Sequence, residues 1–186
     1  AGAVAGDEGE TVDVGNLYPS AQGDSVIIDV LDEMGAKVEW DTDEGVAHIE
    51  SDRLEGVEFD ASDNPDLVPT VAVLGAVADG ETHIVNAEHV RYKETDRLEA
   101  MATELSKMNA AVEEGEDYLV VDGDKSDLQG AEVEGRHDHR VVMALTVAGL
   151  AAEGETVVDT AESVSISYPG FTDAMFALGA EIRKVE

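Results

Sequence analysis

The sequence predicts an α/β domain assembled from three copies of one structural unit. The tripeptide Gly-Glu-Thr begins at Gly9, Gly80 and Gly154, so its copies lie 71 and 74 residues apart. A Gly-Ala or Asn-Ala pair follows each copy, at Gly35, Asn109 and Gly179. Self-similarity at a nearly fixed period indicates repeated use of one supersecondary unit. Apolar residues make up 43% of the chain, which is enough to bury a core despite a net charge of -32.

Each unit is predicted to contain a helix, a strand, a second helix and a pair of strands. The first helices are rich in Ala and Val and end at an acidic residue and Gly, at 68–80 and 141–154. Short β-branched runs predict strands at 11–14, 82–85 and 156–158. Apolar residues spaced by three or four predict the second helices, from Val26 to Met34 and from Leu98 to Met108. Paired strands are predicted at 36–40 with 46–50 and at 111–113 with 118–121.

The repeat register divides this one domain into units at 1–56, 57–130 and 131–186. A shift of 74 residues superimposes Asp66 on Arg140, so both residues are predicted at the start of the first helix of their unit. A shift of 71 residues back from Asp66 falls before residue 1. The first unit therefore lacks its opening strand and helix start, and we expect the chain to be one domain of a longer protein.

Composition excludes several classes of protein. Acidic residues outnumber basic residues by 43 to 11, and such a surface disfavours nucleic acid or a membrane surface as a partner. Molar salt screens the self-repulsion, so we predict a cytoplasmic protein of a salt-accumulating cell. A cation buffer and an acidic interaction protein are the alternatives. The chain has no cysteine for a disulfide or a thiolate, and no apolar run long enough to span a bilayer.

Two short segments concentrate the scarce positive charge. Residues 91–97 and 136–140 hold five of the eleven Lys and Arg residues. Both segments are predicted at helix starts, where free N–H groups and the helix dipole favour a phosphate or carboxylate. Glu94 lies among the cations and is either a carboxylate held by them or a proton donor. We interpret the segments as one anion site, with solvated helix starts and local ion pairs as the alternative.

Acidic residues at the predicted helix starts have structural alternatives as well. Asp96 has a capping-box partner three residues later, and Asp138 is predicted to cap the next helix. Asp66 precedes a third helix and either caps it or acts as a base. His137 and His139 could pair on a metal, but no third ligand is evident and we predict no metal site. If the units pack around a common axis, these helix starts converge into an anion site with a base and an acid.

Three short motifs together are specific enough to indicate a protein family. Lys-Glu-Thr-Asp-Arg-Leu at 93–98, Asp-His-Arg at 138–140 and Ser-Tyr-Pro-Gly-Phe at 167–171 resemble the C-terminal half of the 5-enolpyruvylshikimate-3-phosphate synthase (EPSP synthase) family. The similarity extends over essentially the whole chain, with Gln22-Gly23-Asp24 also in family order. It implies an inside-out α/β fold of three repeated β-α-β-α-β-β units, with helices within and sheets outside.

The resemblance also implies a reaction of aromatic amino-acid biosynthesis. The enolpyruvyl group of phosphoenolpyruvate moves to the 5-hydroxyl of shikimate 3-phosphate by addition and then elimination of phosphate, without metal or organic cofactor. Asp66 matches the proton acceptor for that hydroxyl, and Glu94 matches an acid at the phosphoenolpyruvate methylene. Lys93 matches a contact to shikimate 3-phosphate and is also a candidate catalytic residue. Arg97 and Arg140 match the phosphoenolpyruvate clamp.

Three further positions qualify this match. His139 lies beside the clamp in the Asp-His-Arg motif and is a candidate catalytic residue. His89 occupies the place of an Asn that contacts shikimate 3-phosphate in some members, and it can still donate a hydrogen bond. Ile166 stands where members place a Lys on phosphoenolpyruvate. Loss of that cation predicts weaker phosphate binding unless another cation replaces it.

The family site lies between two halves, so the N-terminal half of the same enzyme is the implied partner. We expect the chain alone to be monomeric, folded in high salt and inactive, because proximity of both substrates is lost. UDP-N-acetylglucosamine enolpyruvyl transferase is an alternative enzyme with the same fold. A non-catalytic anion-binding repeat domain is the alternative outside enzymes. Ile166 favours that domain, whereas Asp66 and Glu94 oppose it.

Overall fold

The structure is a computed structural model that describes residues 11–19, 23–50 and 53–185. Gly9 and Glu10 of the first Gly-Glu-Thr copy, and Gln22 of the Gln-Gly-Asp motif, lie outside the described residues. No helix in the described ranges is long and apolar enough to cross a lipid bilayer.

The described residues form strands and helices in the predicted alternation. In chain order the elements are β1 (Thr11–Gly15), α1 (Ile27–Glu33), β2 (Lys37–Asp41), β3 (Val46–Glu50), β4 (Glu58–Asp60), α2 (Val68–Val77), β5 (Glu81–Val85), α3 (Arg97–Lys107), β6 (Ala111–Glu114), β7 (Leu119–Asp122), β8 (Glu132–Val133), α4 (His139–Ala151), β9 (Val157–Val158) and α5 (Phe171–Ala177). Short 3-10 turns lie at Gly23–Val26, Pro65–Leu67, Glu88–Tyr92, Gly123–Lys125 and Ala161–Ile166.

The strands form three separate sheets. The first has the order β1-β3-β2 and is antiparallel, and the second has the order β4-β5-β7-β6. In the second sheet β4 is parallel to β5, while β5, β7 and β6 are antiparallel neighbours. The third sheet is the parallel pair β8-β9. The predicted strand pairs are therefore confirmed.

The unit predicted from the repeat appears in full in the middle of the chain. The elements β4, α2, β5, α3, β6 and β7 follow one another in the order β-α-β-α-β-β. The last part of the chain repeats this order as β8, α4, β9 and α5. After α5, the described residues 178–185 form no strand. The predicted unit boundaries remain a prediction.

Helices occupy the interior and sheets the outside, as expected. The first helix of the complete unit, α2, is buried along most of its length and packs against α3, α4, β5 and β7. The strands show the alternating burial of sheets with one solvated face, as in β5. The predicted stripe on α3 is fully buried, at Leu98, Met101 and Leu105, together with Met108 at the helix end. The helix α2 is apolar on all sides, and such a helix fits only an interior position.

Two glycines let the inner helices lie directly on the strands that follow them. A Cβ on Gly75 would lie 2.7 Å from the Cβ of Thr82, and one on Gly149 would lie 2.9 Å from the Cβ of Thr156. The two pairs are related by the 74-residue repeat. This close approach fixes the positions of α2 and α4, and therefore of their N-terminal ends.

Candidate active site

The N-terminal ends of α2, α3 and α4 come together, as the sequence predicts. Asp66 lies in the 3-10 turn that leads into α2, Arg97 is the first residue of α3, and Arg140 is the second residue of α4. The three helices pack against one another in pairs. The starts of the three helices therefore meet, and the positive ends of the helix dipoles favour negative charge there.

Two of the three predicted caps are confirmed. The carboxylate of Asp96 accepts a hydrogen bond from the N–H of Glu99 (3.0 Å) at the start of α3. The carboxylate of Asp138 accepts bonds from the N–H groups of Arg140 (2.9 Å) and Val141 (3.4 Å) at the start of α4. Asp66 does not cap α2, because its carboxylate is directed at cations and Leu67 is the cap residue of that helix.

Asp66 is the centre of the cluster. Its Oδ1 accepts a bond from Nη1 of Arg97 at 2.7 Å and lies 3.5 Å from Nζ of Lys93. Its Oδ2 lies 3.2 Å from Nη2 of Arg140, and its backbone oxygen accepts a bond from Nη1 of Arg140 at 3.3 Å. Three cations thus converge on one carboxylate. Asp66 and Arg140, equivalent positions of two units, are in direct contact.

Arg97 is buried although it is charged, with a side chain only 1% exposed. Asp138, which is fully buried, accepts bonds from Nε (2.8 Å) and Nη2 (3.3 Å) of Arg97. Glu94 accepts a second bond from Nη2 at 2.9 Å. A buried charge is tolerated only when it is paired and hydrogen-bonded, and Arg97 meets that condition through three carboxylates.

The cluster holds its charges firmly in their ionised forms. Burial alone would raise the pKa of the Asp66 carboxyl, but Arg97, Arg140 and Lys93 outweigh it and lower that pKa. Burial alone would lower the pKa of the Arg97 guanidinium, but Asp138, Asp66 and Glu94 outweigh it and raise that pKa. Asp66 is therefore a carboxylate at neutral pH, as a base must be.

Comparison with known proteins decides the family. A family model described as EPSP synthase (3-phosphoshikimate 1-carboxyvinyltransferase) matches residues 1–175. The chain belongs to the EPSP synthase family. The chain is 55% identical over 181 residues to a protein of Halobacterium salinarum named 3-phosphoshikimate 1-carboxyvinyltransferase, covering 97% of this chain and 42% of that relative.

Other members of the EPSP synthase family extend the comparison. A protein of the same name from Methanococcoides burtonii is 57% identical over 171 residues, which is 92% of this chain and 39% of that relative. EPSP synthase from Acinetobacter baumannii superimposes with a TM-score of 0.85 at 28% identity, covering 95% of this chain and 43% of that structure. The enolpyruvyl transferase NikO from Streptomyces tendae has a TM-score of 0.74 at 26% identity, over 94% of this chain and 40% of that one. The chain therefore spans about two fifths of these relatives.

Two of the five cations in the segments 91–97 and 136–140 make no contact with Asp66 in the described ranges. Arg91 donates to the backbone oxygens of Gly115 and Glu116 and pairs with Asp96 at 2.8 Å. Arg136 pairs with Glu99 at 2.9 Å and with the buried carboxylate of Glu104 on α3, also at 2.9 Å. The predicted local ion pairs thus hold for these two arginines, while Lys93, Arg97 and Arg140 form the cluster.

The remaining predicted site residues take no part in the ion pairs of the cluster within the described ranges. His139 is half-buried in the first turn of α4, and His89 is exposed in the 3-10 turn at Glu88–Tyr92. Neither imidazole makes a hydrogen bond or ion pair within the described ranges. Ile166 is 72% exposed. No Lys or Arg occurs from Val141 to Ile182, and Arg183 pairs with Glu155 at 2.9 Å.

A metal role for the histidines has no support in the geometry. Among the residues that the structure describes, no group of three or more His, Asp or Glu side chains is arranged to hold a metal ion. His137 is exposed and lies 3.8 Å from Glu162. The cluster itself offers fixed cations, helix N-termini and carboxylates.

Sequence analysis missed one member of the cluster. Asp138 was expected only to cap α4, yet it also binds both Nε and Nη2 of Arg97. The two residues lie 41 positions apart, and no local pattern reports such a contact. The one available signal was the repeat, which predicts that the helix starts converge.

Proposed function

We propose that this chain contributes the phosphoenolpyruvate-facing half of a 3-phosphoshikimate 1-carboxyvinyltransferase. The observation that carries the proposal is the convergence of Lys93, Arg97 and Arg140 on Asp66 at three helix N-termini. That arrangement suits a substrate with phosphate and carboxylate groups. The names of the curated relatives favour the shikimate enzyme over the transferase that acts on UDP-N-acetylglucosamine.

The three cations have separate proposed roles. Arg97 and Arg140 bind phosphoenolpyruvate, because a guanidinium matches a carboxylate or phosphate with two parallel hydrogen bonds. Lys93 binds shikimate 3-phosphate, for which a flexible point charge is sufficient. His89 is proposed to donate a hydrogen bond to the same substrate. Since Ile166 supplies no charge, phosphoenolpyruvate binding depends on the two arginines and the helix ends.

The two exposed carboxylates are proposed to move the protons. In the addition step, the 5-hydroxyl oxygen of shikimate 3-phosphate bonds to C2 of phosphoenolpyruvate while Asp66 takes the hydroxyl proton. Glu94 donates a proton to the C3 methylene, which becomes a methyl group. In the elimination step, the C2–O bond to phosphate breaks, the carboxylate of Glu94 takes a proton back from C3, and phosphate departs with the proton that Asp66 held. His139, beside the clamp, is the further candidate for a catalytic contact.

Activity is proposed to need a second polypeptide region. The chain spans about two fifths of its relatives, and proximity of two bound substrates contributes on the order of 7–11 kcal/mol to such a reaction. We propose the N-terminal half of the same enzyme as that partner. The chain alone is expected to bind phosphoenolpyruvate weakly as a monomer and to show no turnover.

The test measures phosphate release from phosphoenolpyruvate and shikimate 3-phosphate in molar KCl. The chain is assayed alone and mixed with the N-terminal half made separately. Activity is expected only in the mixture, and Arg97→Ala and Arg140→Ala are expected to reduce it at least about 100-fold, the loss expected when a charged transition-state contact is removed. Arg183→Ala removes an exposed arginine at a distance from the cluster and is the matched control.

The outcomes separate the candidate functions. Activity that survives Arg97→Ala contradicts the proposed clamp. Turnover with UDP-N-acetylglucosamine but not with shikimate 3-phosphate indicates the alternative transferase. A folded mixture that binds phosphoenolpyruvate without turnover indicates the anion-binding repeat domain.

A further inference from the structure

The substrate-facing end of Arg97 is already occupied by carboxylates of the same chain. Nη1 donates to Asp66 at 2.7 Å, and Nη2 donates to Glu94 at 2.9 Å. A guanidinium binds a carboxylate or phosphate through two parallel N–H groups, and Nη1 and Nη2 form one such pair. Asp66 and Glu94 therefore take the place of one bidentate anion.

The third carboxylate on Arg97 has a different character. Asp138 is fully buried, binds Nε and caps α4. In contrast, the side chain of Asp66 is 36% exposed and that of Glu94 is 49% exposed. A solvent-accessible carboxylate can be replaced by a ligand anion that pairs with Arg97 in its stead, whereas breaking a pair in which both charges are buried leaves an uncompensated charge. Exchange of Asp66 and Glu94 for another anion is therefore easy, and loss of Asp138 is costly.

The other two cations of the cluster also contact Asp66. Arg140 reaches Oδ2 at 3.2 Å, and Lys93 lies 3.5 Å from Oδ1. Among the described residues, the carboxylates of Asp66, Glu94 and Asp138 contact these cations. An incoming anion would meet repulsion from Asp66 and Glu94 unless those groups moved aside.

We propose that Asp66 and Glu94 act as internal anions that fill the clamp of the unliganded chain, and that the anionic groups of phosphoenolpyruvate displace both. This inference rests on the proposed function and deepens it, because the displaced groups are the proposed base and acid. Once Arg97 and Arg140 turn to the ligand, Asp66 loses its strongest cation partners and becomes a better base. Anion binding thus releases the proton-transfer groups when the substrate arrives.

The inference predicts that removing either carboxylate tightens phosphoenolpyruvate binding. Asp66→Asn and Glu94→Gln are expected to bind phosphoenolpyruvate about fivefold more tightly than the parent chain, since each removes a carboxylate that competes with the ligand for Arg97. Asp66→Ala is expected to act in the same direction, which removes the concern that an amide at this position still contacts Arg97. Calorimetric titration of each chain with phosphoenolpyruvate in molar KCl measures the change, and circular dichroism confirms that each chain is folded.

Matched controls separate displacement from a general charge effect. Asp63→Asn and Glu88→Gln remove the same charge from exposed neighbours whose carboxylates make no ion pair in the described ranges. Both are expected to leave the affinity unchanged within about twofold, because molar salt screens unpaired charges.

The results also separate this inference from the proposed function. The inference is overturned if the parent chain binds phosphoenolpyruvate and both Asp66→Asn and Asp66→Ala bind it with equal or lower affinity. The proposed function would then still stand. Tightening in all four acid-to-amide variants alike overturns it as well, because the effect is then one of net charge. No binding by the parent chain or any variant, with all chains folded, overturns the proposed function and the inference together.

Discussion

Arg97 and Asp138 form an ion pair that is almost completely removed from water. Their side chains are 1% and 0% exposed, and the Nε to Oδ2 distance is 2.8 Å. Removing one partner from such a pair leaves the other charge buried, so Asp138→Asn is expected to lower the free energy of unfolding by about 3 kcal/mol. It is also expected to weaken phosphoenolpyruvate binding, since Arg97 is no longer held. Urea unfolding in molar KCl and calorimetry measure the two effects.

A second helix cap supplies the matched control for this residue. Asp96 caps α3 as Asp138 caps α4, and it pairs with Arg91 at 2.8 Å, but its side chain is 33% exposed. Asn is as good a cap as Asp, so Asp96→Asn is expected to cost less than about 1 kcal/mol. Equal losses from the two substitutions would show that burial of the Arg97 pair contributes nothing beyond capping.

At the scale of single residues, the sequence predicted local helix caps but not the long-range contacts between side chains. The caps at Asp96 and Asp138 could be predicted because the bonded N–H groups lie two or three residues away. The contacts of Asp66 with Arg97 and Arg140 span 31 and 74 positions. Such contacts depend on how three helices pack, which the repeat indicates only in outline.

Among the elements, the turn before α4 is under conformational strain. Arg136 and His137 have positive φ values of 54° and 56°, and the N–H of Asp138 donates to the oxygen of Gly135 at 3.0 Å. Two consecutive non-glycine residues in this region cost on the order of 1–3 kcal/mol each. Arg136 anchors the turn to α3 by donating to the carboxylate of Glu104 at 2.9 Å.

Glu104 makes this anchor dependent on pH. It is fully buried, and Lys107, the N–H of Glu134 and Arg136 bind its two oxygens. Burial alone would raise the pKa of the Glu104 carboxyl, but these partners outweigh it and lower that pKa. A carboxyl with a lowered pKa in the folded state stabilises the protein above its ordinary pKa, and this contribution is lost as the pH falls through the folded-state value.

Glu104→Gln is therefore expected to lower the free energy of unfolding at pH 7 by about 3 kcal/mol, the usual cost of breaking a buried pair. The difference from the parent chain is expected to shrink as the pH falls below about 4.3, where glutamate is protonated in the unfolded chain. Urea unfolding in molar KCl at several pH values measures the difference. Glu99→Gln, which also pairs with Arg136 but is half exposed, is the matched control. A gap between Glu104→Gln and the parent that stays constant with pH contradicts ionisation as its cause.

The helices and paired strands were predictable because their patterns are local, with errors of a few residues at their ends. The 3-10 turns were not predicted. The turn at Pro65–Leu67 gives no hydrophobic period, yet it directs Asp66 toward the cations instead of the first turn of α2. The strained pair at Arg136 and His137 was also missed, since a positive φ is uncommon for any residue other than glycine and two in succession give no sequence signal.

For the whole molecule, the repeat was the most informative feature of the sequence. It predicted one unit used repeatedly, and β4 through β7 show that unit in full. The sheets to which the strands belong could not be derived from spacing alone, because parallel partners such as β8 and β9 are separated by a complete helix. The layer order came from the family resemblance, and the burial of α2 agrees with it.

The net charge of -32 makes the stability of the whole fold depend on salt. At about 0.1 M salt the Debye length is roughly 10 Å, so neighbouring acidic side chains repel one another, whereas at about 1 M it is roughly 3 Å. The urea midpoint is therefore expected to rise steeply with KCl. Circular dichroism at increasing KCl measures the folded fraction directly.

A charge variant tests whether screening is the cause. Asp63, Glu88 and Asp117 are exposed and make no ion pair in the described ranges, so replacing all three by their amides removes repulsion without removing attraction. The triple variant is expected to fold at lower KCl than the parent and to match its stability in molar KCl, where both surfaces are screened. A parallel gain at every salt concentration would instead indicate an effect on local structure. Equal stabilisation of the parent by sucrose and by KCl would assign the salt response to solute exclusion.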